Sequence, residues 1–185
     1  MDSGAESYRR FLGGDNNGLV EIIRDYKDGL ILYLRSFTDD ILQAEELAED
    51  AFVKLVTKRP RFGGRSGFKT WLYAIGRNVA LDQARRRARH PEVPYESCPE
   101  LSGEEEGLEH SYIREERSIL LHRAIQKLKP EYRQVLWLIY FEDFSNREAA
   151  AVMKRSTHSV ETLVYRARLA LKANLDEEGF FYEVF

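Results

Sequence analysis

Between His90 and Glu109 the chain reads HPEVPYESCPELSGEEEGLE, with three prolines, two glycines, seven glutamates and no lysine or arginine. Proline lacks a backbone donor and clashes with a preceding helical turn, and glycine loses more conformational freedom on ordering than any other residue. Such a stretch neither continues a helix nor fills a core. It divides the 185 residues into two short halves joined by an acidic linker. Each half must then bury its own apolar residues, and a composition 43% hydrophobic and 12% aromatic suffices for two small cores.

Helical spacing dominates both halves, with no convincing alternating strand. Leu19, Ile22, Ile23, Tyr26, Leu30, Tyr33, Leu34 and Phe37 recur at intervals of three and four, which predicts one long amphipathic helix with Gly29 inside it. A second begins near Asp40, carries Ile41, Leu47, Ala48, Ala51, Phe52 and Leu55, and stops near Pro60. The run RFGGRSG, Arg61 to Gly67, is too rich in glycine for a helix and predicts a loop. After it, Phe68, Leu72, Ile75 and Val79 form one stripe of a further helix. Beyond the linker a helix is expected from about Tyr112 to Leu128, then one from Pro130 to Phe144 with proline in its first turn. Ser145 and Glu148 stand at capping-box spacing and open a third, which runs to Met153. After the turn KRST a last helix directs Val160, Val164, Ala167 and Leu171 inward, with Leu163 at the edge of the stripe. Two helices across so short a turn, the second bearing Arg166 and Arg168, make a helix-turn-helix. The expected fold is all-α: an N-terminal extension over 1–18, a helical domain over 19–89, the linker over 90–111, a second helical domain over 112–175 and a tail over 176–185.

The net charge of −3 conceals strong segregation. Residues 1–56 carry a net −6, residues 57–90 a net +9, residues 91–109 a net −7 and residues 110–185 a net +1. A polyanion is drawn to the second block and repelled by the third. Within the second block, FKTWLYAIGRNVALDQARRRAR places large aromatic residues ahead of a row of arginines. That combination suits single-stranded nucleic acid, because bases stack on aromatic rings and a basic groove holds the backbone. Trp71 itself is expected in the core, and the blander reading of the arginines is a solvated helix end favoured by the dipole. Ten basic residues against one acidic over residues 57–90 weigh against it. Cys98 is the single cysteine and no eighteen-residue apolar run occurs, so a reducing cytoplasm without membrane insertion is the expected setting. His90, His110, His122 and His158 lie in no metal-ligand spacing. No phosphate loop, metal pair or nucleophile triad is recognisable, and neither enzymatic activity nor a metal or other cofactor is expected.

Taken as an ordered pair, the halves resemble the two-domain sigma factors of bacterial RNA polymerase, in the extracytoplasmic function (ECF) group of the sigma-70 family. The first half is similar to region 2 through AEELAEDAFVKL (Ala44 to Leu55), RFGGRSGFKTWLYAIGRN (Arg61 to Asn78) and LDQARRR (Leu81 to Arg87). The second is similar to region 4 through AIQKLKPEYRQVLWLIYFEDFS (Ala124 to Ser145), REAAAVM (Arg147 to Met153) and YRARLALKANL (Tyr165 to Leu175). The resemblance implies a factor that binds core polymerase and directs promoter recognition and melting. It places a flipped base of the minus-10 element against Phe62, Gly63, Gly64, Arg65, Ser66, Gly67 and Asn78, with phosphate held by Arg85, Arg86, Arg87 and Arg89. It places the polymerase's largest-subunit clamp helices against Glu45, Glu46, Glu49 and Asp50. The linker would thread the RNA channel, with a simple tether as the equal alternative, and an anti-sigma factor is a partner that such proteins often have.

Two departures from the family pattern stand out. Glu49 occupies a position where glutamine is usual, and Glu161 and Leu163 stand where basic residues are common. Reading of the minus-35 element would then fall to His158, Ser159, Thr162, Tyr165 and Arg166, with Arg155 on the backbone. On the other reading Leu163 only widens the apolar stripe and Glu161 pairs with a nearby arginine. The rival function is a free-standing helix-turn-helix regulator whose first half is a dimerisation module. Such a regulator has no need of the glycine loop and arginine helix.

Overall fold

Five helices of this chain open on a short side chain whose oxygen accepts a hydrogen bond from the first turn. Asp2 caps α1 (Ser3–Leu12), Asp15 caps α2 (Asn16–Leu34) and Asp40 caps α3 (Ile41–Lys58). Ser145 caps α7 (Asn146–Met153) and Ser156 caps α8 (Thr157–Glu177). Each such cap satisfies a donor that the helix itself cannot reach and contributes about 1 kcal/mol. Between them lie α4 (Phe68–Arg89), α5 over 120–126, and α6 (Pro130–Tyr140) with Pro130 in its first turn. The computed structural model describes residues 2–38, 40–89 and 120–178, and no strand occurs among them. The acidic linker, the start of the helix expected from Tyr112 and residues 179–185 of the tail lie outside the described residues.

The first domain is built on Ile22, Leu30, Leu34, Leu47, Leu55 and Leu72, all at most 2% exposed. The second is built on Val135, Leu138, Ala149, Val152, Val160 and Ala167, all fully buried. The observed helices match the expected spacing with four differences, the first being that the helix expected to carry Phe37 ends at Leu34 and continues as a 3₁₀ turn, Arg35–Phe37. Residues 3–12 form a helix that the sequence reading did not include, and it packs along α2. Gly18 permits this approach: a Cβ there would stand 2.1 Å from the Ser7 carbonyl oxygen. The helix expected to reach Phe144 ends at Tyr140, because Asp143 takes a left-handed φ of 55° and the Phe144 N–H turns back to the Leu138 carbonyl. Leu163, expected at the edge of its stripe, is 5% exposed and belongs to the core.

The two helical domains pack against each other, α7 on α4 and α6 on the 3₁₀ turn Arg35–Phe37 that follows α2. At the centre of this contact is Glu142, whose side chain is 9% exposed. Its carboxylate accepts from the Tyr73 hydroxyl at 2.7 Å and from Trp137 Nε1 at 3.3 Å, and lies 2.9 Å from Lys69 Nζ. Lys69 also donates to the Glu142 carbonyl at 2.9 Å, and the Tyr73 ring meets Phe144 edge-on at 5.3 Å. Burial, then the Glu142 charge, push the Tyr73 hydroxyl pKa far above its ordinary value. Tyr73 is therefore the donor in this pair.

Candidate nucleic-acid and polymerase interface

The loop before α4 is held from three sides. The Tyr8 hydroxyl of α1 donates to the Pro60 carbonyl at 2.8 Å, where the chain comes into the loop. At the other end the Phe68 N–H, in the first turn of α4, donates to Asp2 Oδ2 at 2.6 Å, while Asp2 Oδ1 accepts from Ala5. One carboxylate thus caps α1 and α4 together. Between the anchors, the Phe62 ring packs 5.3 Å from Trp71 and 5.7 Å from Phe68, and Tyr8 lies 5.2 Å from Trp71. Phe62 and Trp71 are half-buried in this aromatic cluster. Gly63, Gly64, Arg65 and Gly67 are exposed, and nothing lies within 4 Å of where a Cβ on Gly63 or Gly64 would be. Ser66 is half-buried, its hydroxyl 3.3 Å from the Gly67 carbonyl.

Along α4, positions seven apart share a face, so Trp71, Asn78 and Arg85 line one side of the helix. Asn78 is half-buried and lies seven residues, about 11 Å of helix, beyond Trp71. Asn78 thus lies on the side of α4 that carries Trp71, against which Phe62 of the loop packs. Arg85, Arg86, Arg87 and Arg89 are all exposed. Arg85 pairs with Asp82 at 3.3 Å and Arg87 donates to Gln43 Oε1 at 2.7 Å, which fixes its direction toward α3. Arg86 and Arg89 pair with no described residue.

Glu45, Glu46, Glu49 and Asp50 are exposed on α3 and make no ion pair among the described residues. Glu49 also borders an apolar groove of about 440 Å³ lined by Ile23, Ala48, Phe52, Val53 and Val56. Val53 is 53% and Val56 40% exposed. An apolar slot edged by Glu49 and Lys27 has a polar rim of the kind found at protein-docking surfaces.

In the second domain Lys154, left-handed at φ 54°, closes α7, and Ser156 restarts the chain as α8. His158, Glu161, Tyr165 and Arg166 are exposed on α8, whereas Ser159 and Thr162 are half-buried. The Thr162 hydroxyl bonds the His158 carbonyl at 3.1 Å, and Ser159 donates its N–H to the Ser156 hydroxyl at 3.2 Å. Arg155 is tied to Glu131 of α6 at 2.6 Å. Glu161 stands 3.9 Å from His158 Nδ1, and no arginine among the described residues pairs with it. Tyr165 lines a groove between α8 and α6. The sequence reading missed α1 with Asp2 and Tyr8. A signal was present, since Asp2 precedes Ala5, Tyr8, Phe11 and Leu12 at helical spacing.

Comparison with known proteins follows the same division. The family description "Sigma-70 region 2" matches residues 22–90 and "Sigma-70, region 4" matches residues 118–171. The chain is 30% identical over 166 residues to the RNA polymerase sigma-H factor of Pseudomonas aeruginosa, covering 85% of this chain and 86% of that protein. It is 29% identical to the RNA polymerase sigma factor YlaC of Bacillus subtilis, covering 86% and 92% respectively. To the ECF RNA polymerase sigma factor SigW of the same organism it is 26% identical, covering 88% and 91%. Among solved structures, the sigma factor RpoE in complex with the anti-sigma factor NepR from Bartonella quintana is similar with a TM-score of 0.66 at 25% identity, over 84% of this chain and 95% of that one. CnrH in complex with the cytosolic domain of CnrY is similar with a TM-score of 0.63 at 25% identity, over 95% and 96%. With both helical halves matched in order and the relatives covered nearly end to end, the chain belongs to the sigma-70 family of RNA polymerase sigma factors, in its ECF group.

Proposed function

We propose that this chain binds bacterial core RNA polymerase and directs it to promoters, residues 19–89 engaging the enzyme and the minus-10 element and residues 112–175 the minus-35 element. The observation that carries the reading is the pairing, in one chain, of an anchored glycine loop and arginine helix with a helix-turn-helix. Opening duplex DNA leaves unstacked bases, which cost a few kcal/mol unless the protein offers them a surface. The loop of residues 62–67 and Asn78 supply that surface, and Arg85, Arg86, Arg87 and Arg89 hold the strand. The carboxylates of α3 and the slot beside them dock the polymerase clamp helices. On α8, His158, Ser159, Thr162, Tyr165 and Arg166 face the major groove, with Arg155 on the backbone. Nucleotidyl transfer stays with the polymerase; sigma factors are not enzymes.

The setting is the cytoplasm, where promoter DNA is reached. No described helix is long and apolar enough to cross a membrane. An anti-sigma factor is a further partner, by analogy with the complexes in which the two structural relatives were solved. The test is to add the pure chain to bacterial core polymerase on genomic DNA and sequence the 5′ ends of the transcripts. New starts preceded by a shared two-part motif are expected. If transcription from core is unchanged while the chain alone binds a specific duplex, the free-standing regulator is the correct reading.

A further inference from the structure

Both ends of the loop of residues 61–67 are tied to one helix, and that helix contributes none of the side chains proposed to touch DNA or polymerase. The Tyr8 hydroxyl, on α1, donates to the Pro60 carbonyl at 2.8 Å, and the Phe68 N–H donates to the α1 cap residue Asp2 at 2.6 Å. Between these two bonds, residues 61–66 make no hydrogen bond to another element among the described residues. The path of the loop is therefore set by its ends and by the Phe62 ring, which packs on Phe68 and Trp71. Tyr8 packs on those same two rings, at 5.6 and 5.2 Å. Every anchor of the loop thus leads to α1.

The helix is itself fixed in place. The Ser7 hydroxyl donates to Glu21 of α2 at 2.6 Å, and Arg10 pairs with Glu21 at 3.0 Å and with Asp15 at 2.8 Å. A Cβ on Gly4 would collide with the Phe68 ring, so α1 lies directly on the first residue of α4. The chemistry of the two anchors is specific. Asp2 uses one carboxylate oxygen for the Ala5 N–H of α1 and the other for the Phe68 N–H of α4. Only a carboxylate offers two acceptor oxygens at that length, since an asparagine amide has one oxygen and a donor in place of the other.

We propose that Asp2 and Tyr8 are positioning residues for promoter opening, holding residues 61–67 in the shape that receives the flipped base without touching DNA themselves, a role that rests on the reading of this loop as the minus-10 site. A loop ordered before the base arrives does not have to surrender its conformational freedom at that moment. Loosening either end imposes that loss on the opening step. It leaves the first encounter with duplex DNA, made by arginines elsewhere on the molecule, as it was.

Holoenzyme formed with Tyr8→Phe or with Asp2→Asn tests this role. Phenylalanine keeps the ring contacts and loses the hydroxyl; asparagine leaves one of the two N–H groups without an acceptor. Each variant should open a duplex promoter roughly fivefold more slowly, the effect of one hydrogen bond. The holoenzyme concentration that gives half the maximal opening rate should not move, nor should transcription from a premelted template lacking the recognised base. Trypsin should cleave the free variants after Arg65 roughly threefold faster, because the loop opens locally when one end is released. Asp40→Ala removes a comparable cap from α3 and measures what a general loss of stability does; it should open the duplex at the rate of the unaltered chain. An opening rate unchanged in both variants, or slowed equally by Asp40→Ala, overturns the positioning role. Asn78→Ala tells that failure from failure of the site itself. If Asn78→Ala slows duplex opening selectively while Tyr8→Phe and Asp2→Asn do not, the role of α1 alone falls. If all three slow both templates alike, the loop is not the minus-10 site and the role of α1 falls with it.

Discussion

Asn78 presents an amide from a half-buried position on the Trp71–Arg85 face of α4, and an amide can donate and accept at once. A well-placed pair of hydrogen bonds to a base is worth about 1–3 kcal/mol. Asn78→Ala is expected to slow opening of a duplex promoter by roughly tenfold, the equivalent of 1.4 kcal/mol, while transcription from a premelted template lacking the recognised base stays near normal. Open-complex formation on the two templates checks this, and equal defects would remove Asn78 from base reading. Glu161 carries the opposite expectation. It is exposed, pairs among the described residues only with His158, and lies on the helix proposed to face phosphate. Each phosphate contact adds about 0.9 to the slope of log affinity against log salt. Glu161→Lys should strengthen binding of the holoenzyme to minus-35 DNA of any sequence and steepen that slope by about one contact. An unchanged slope would show that this side chain does not face the backbone.

Among the elements, α7 is the one whose start depends most on a single pair. Ser145 accepts from the Glu148 N–H at 3.3 Å, and Glu148 in turn accepts from the Ser145 N–H at 2.9 Å and from its hydroxyl at 2.7 Å. Those bonds, the hydroxyl's first, lower the Glu148 pKa. Since the folded value is depressed, the stabilisation is full above the unfolded value, about pH 4.3, and is lost as the pH falls through the folded value. Ser145→Ala should cost about 1 kcal/mol, read by thermal melting at neutral pH, and the gap between the two proteins should narrow in acid. On α3 one carboxylate of the acidic face, Glu49, borders the slot containing Val53 and Val56. Glu46→Lys with Glu49→Lys should weaken binding to core polymerase at least tenfold, most at low salt because exposed charges are screened, with an unaltered circular dichroism spectrum. Unchanged affinity for core would move the docking surface elsewhere.

At the scale of the molecule the Glu142 contact governs how the domains meet. Gly29 on α2 makes room for it: a Cβ there would stand 2.6 Å from the Tyr73 hydroxyl and 2.9 Å from Glu142 Oε1. The minus-10 and minus-35 elements lie roughly 85 Å apart on B-form DNA at 3.4 Å per base pair. A packed chain of this length has a radius of gyration of about 16 Å. The contact is therefore expected to open in the transcribing complex. Glu142→Ala leaves the Tyr73 hydroxyl and Trp137 N–H without their acceptor, each at a cost of about 1–3 kcal/mol if it stays buried. Domain separation is the cheaper response. Small-angle scattering should show a larger radius of gyration for Glu142→Ala, and thermal melting should resolve into two steps. A compact variant with a single transition would show that the apolar contact of Tyr73 with Phe144 suffices.

What this sequence determined by itself was local. Helix starts at Asp40, Pro130 and Ser145, the loop of residues 61–67 and the helix-turn-helix were legible because caps and amphipathic stripes act over three or four residues. The resemblance that identified the family rests on the same short motifs. Burial of Leu163 needed the tertiary structure, since a stripe's edge is exposed or covered only by what packs on it. So did the anchoring of the loop by α1: Phe68 finds Asp2 across 66 residues and Tyr8 finds Pro60 across 52. Lys69 and Tyr73 meet Glu142 across 73 and 69 residues. No local pattern encodes such pairs, because their free energy depends on a distance that exists only once both helical domains have formed and packed.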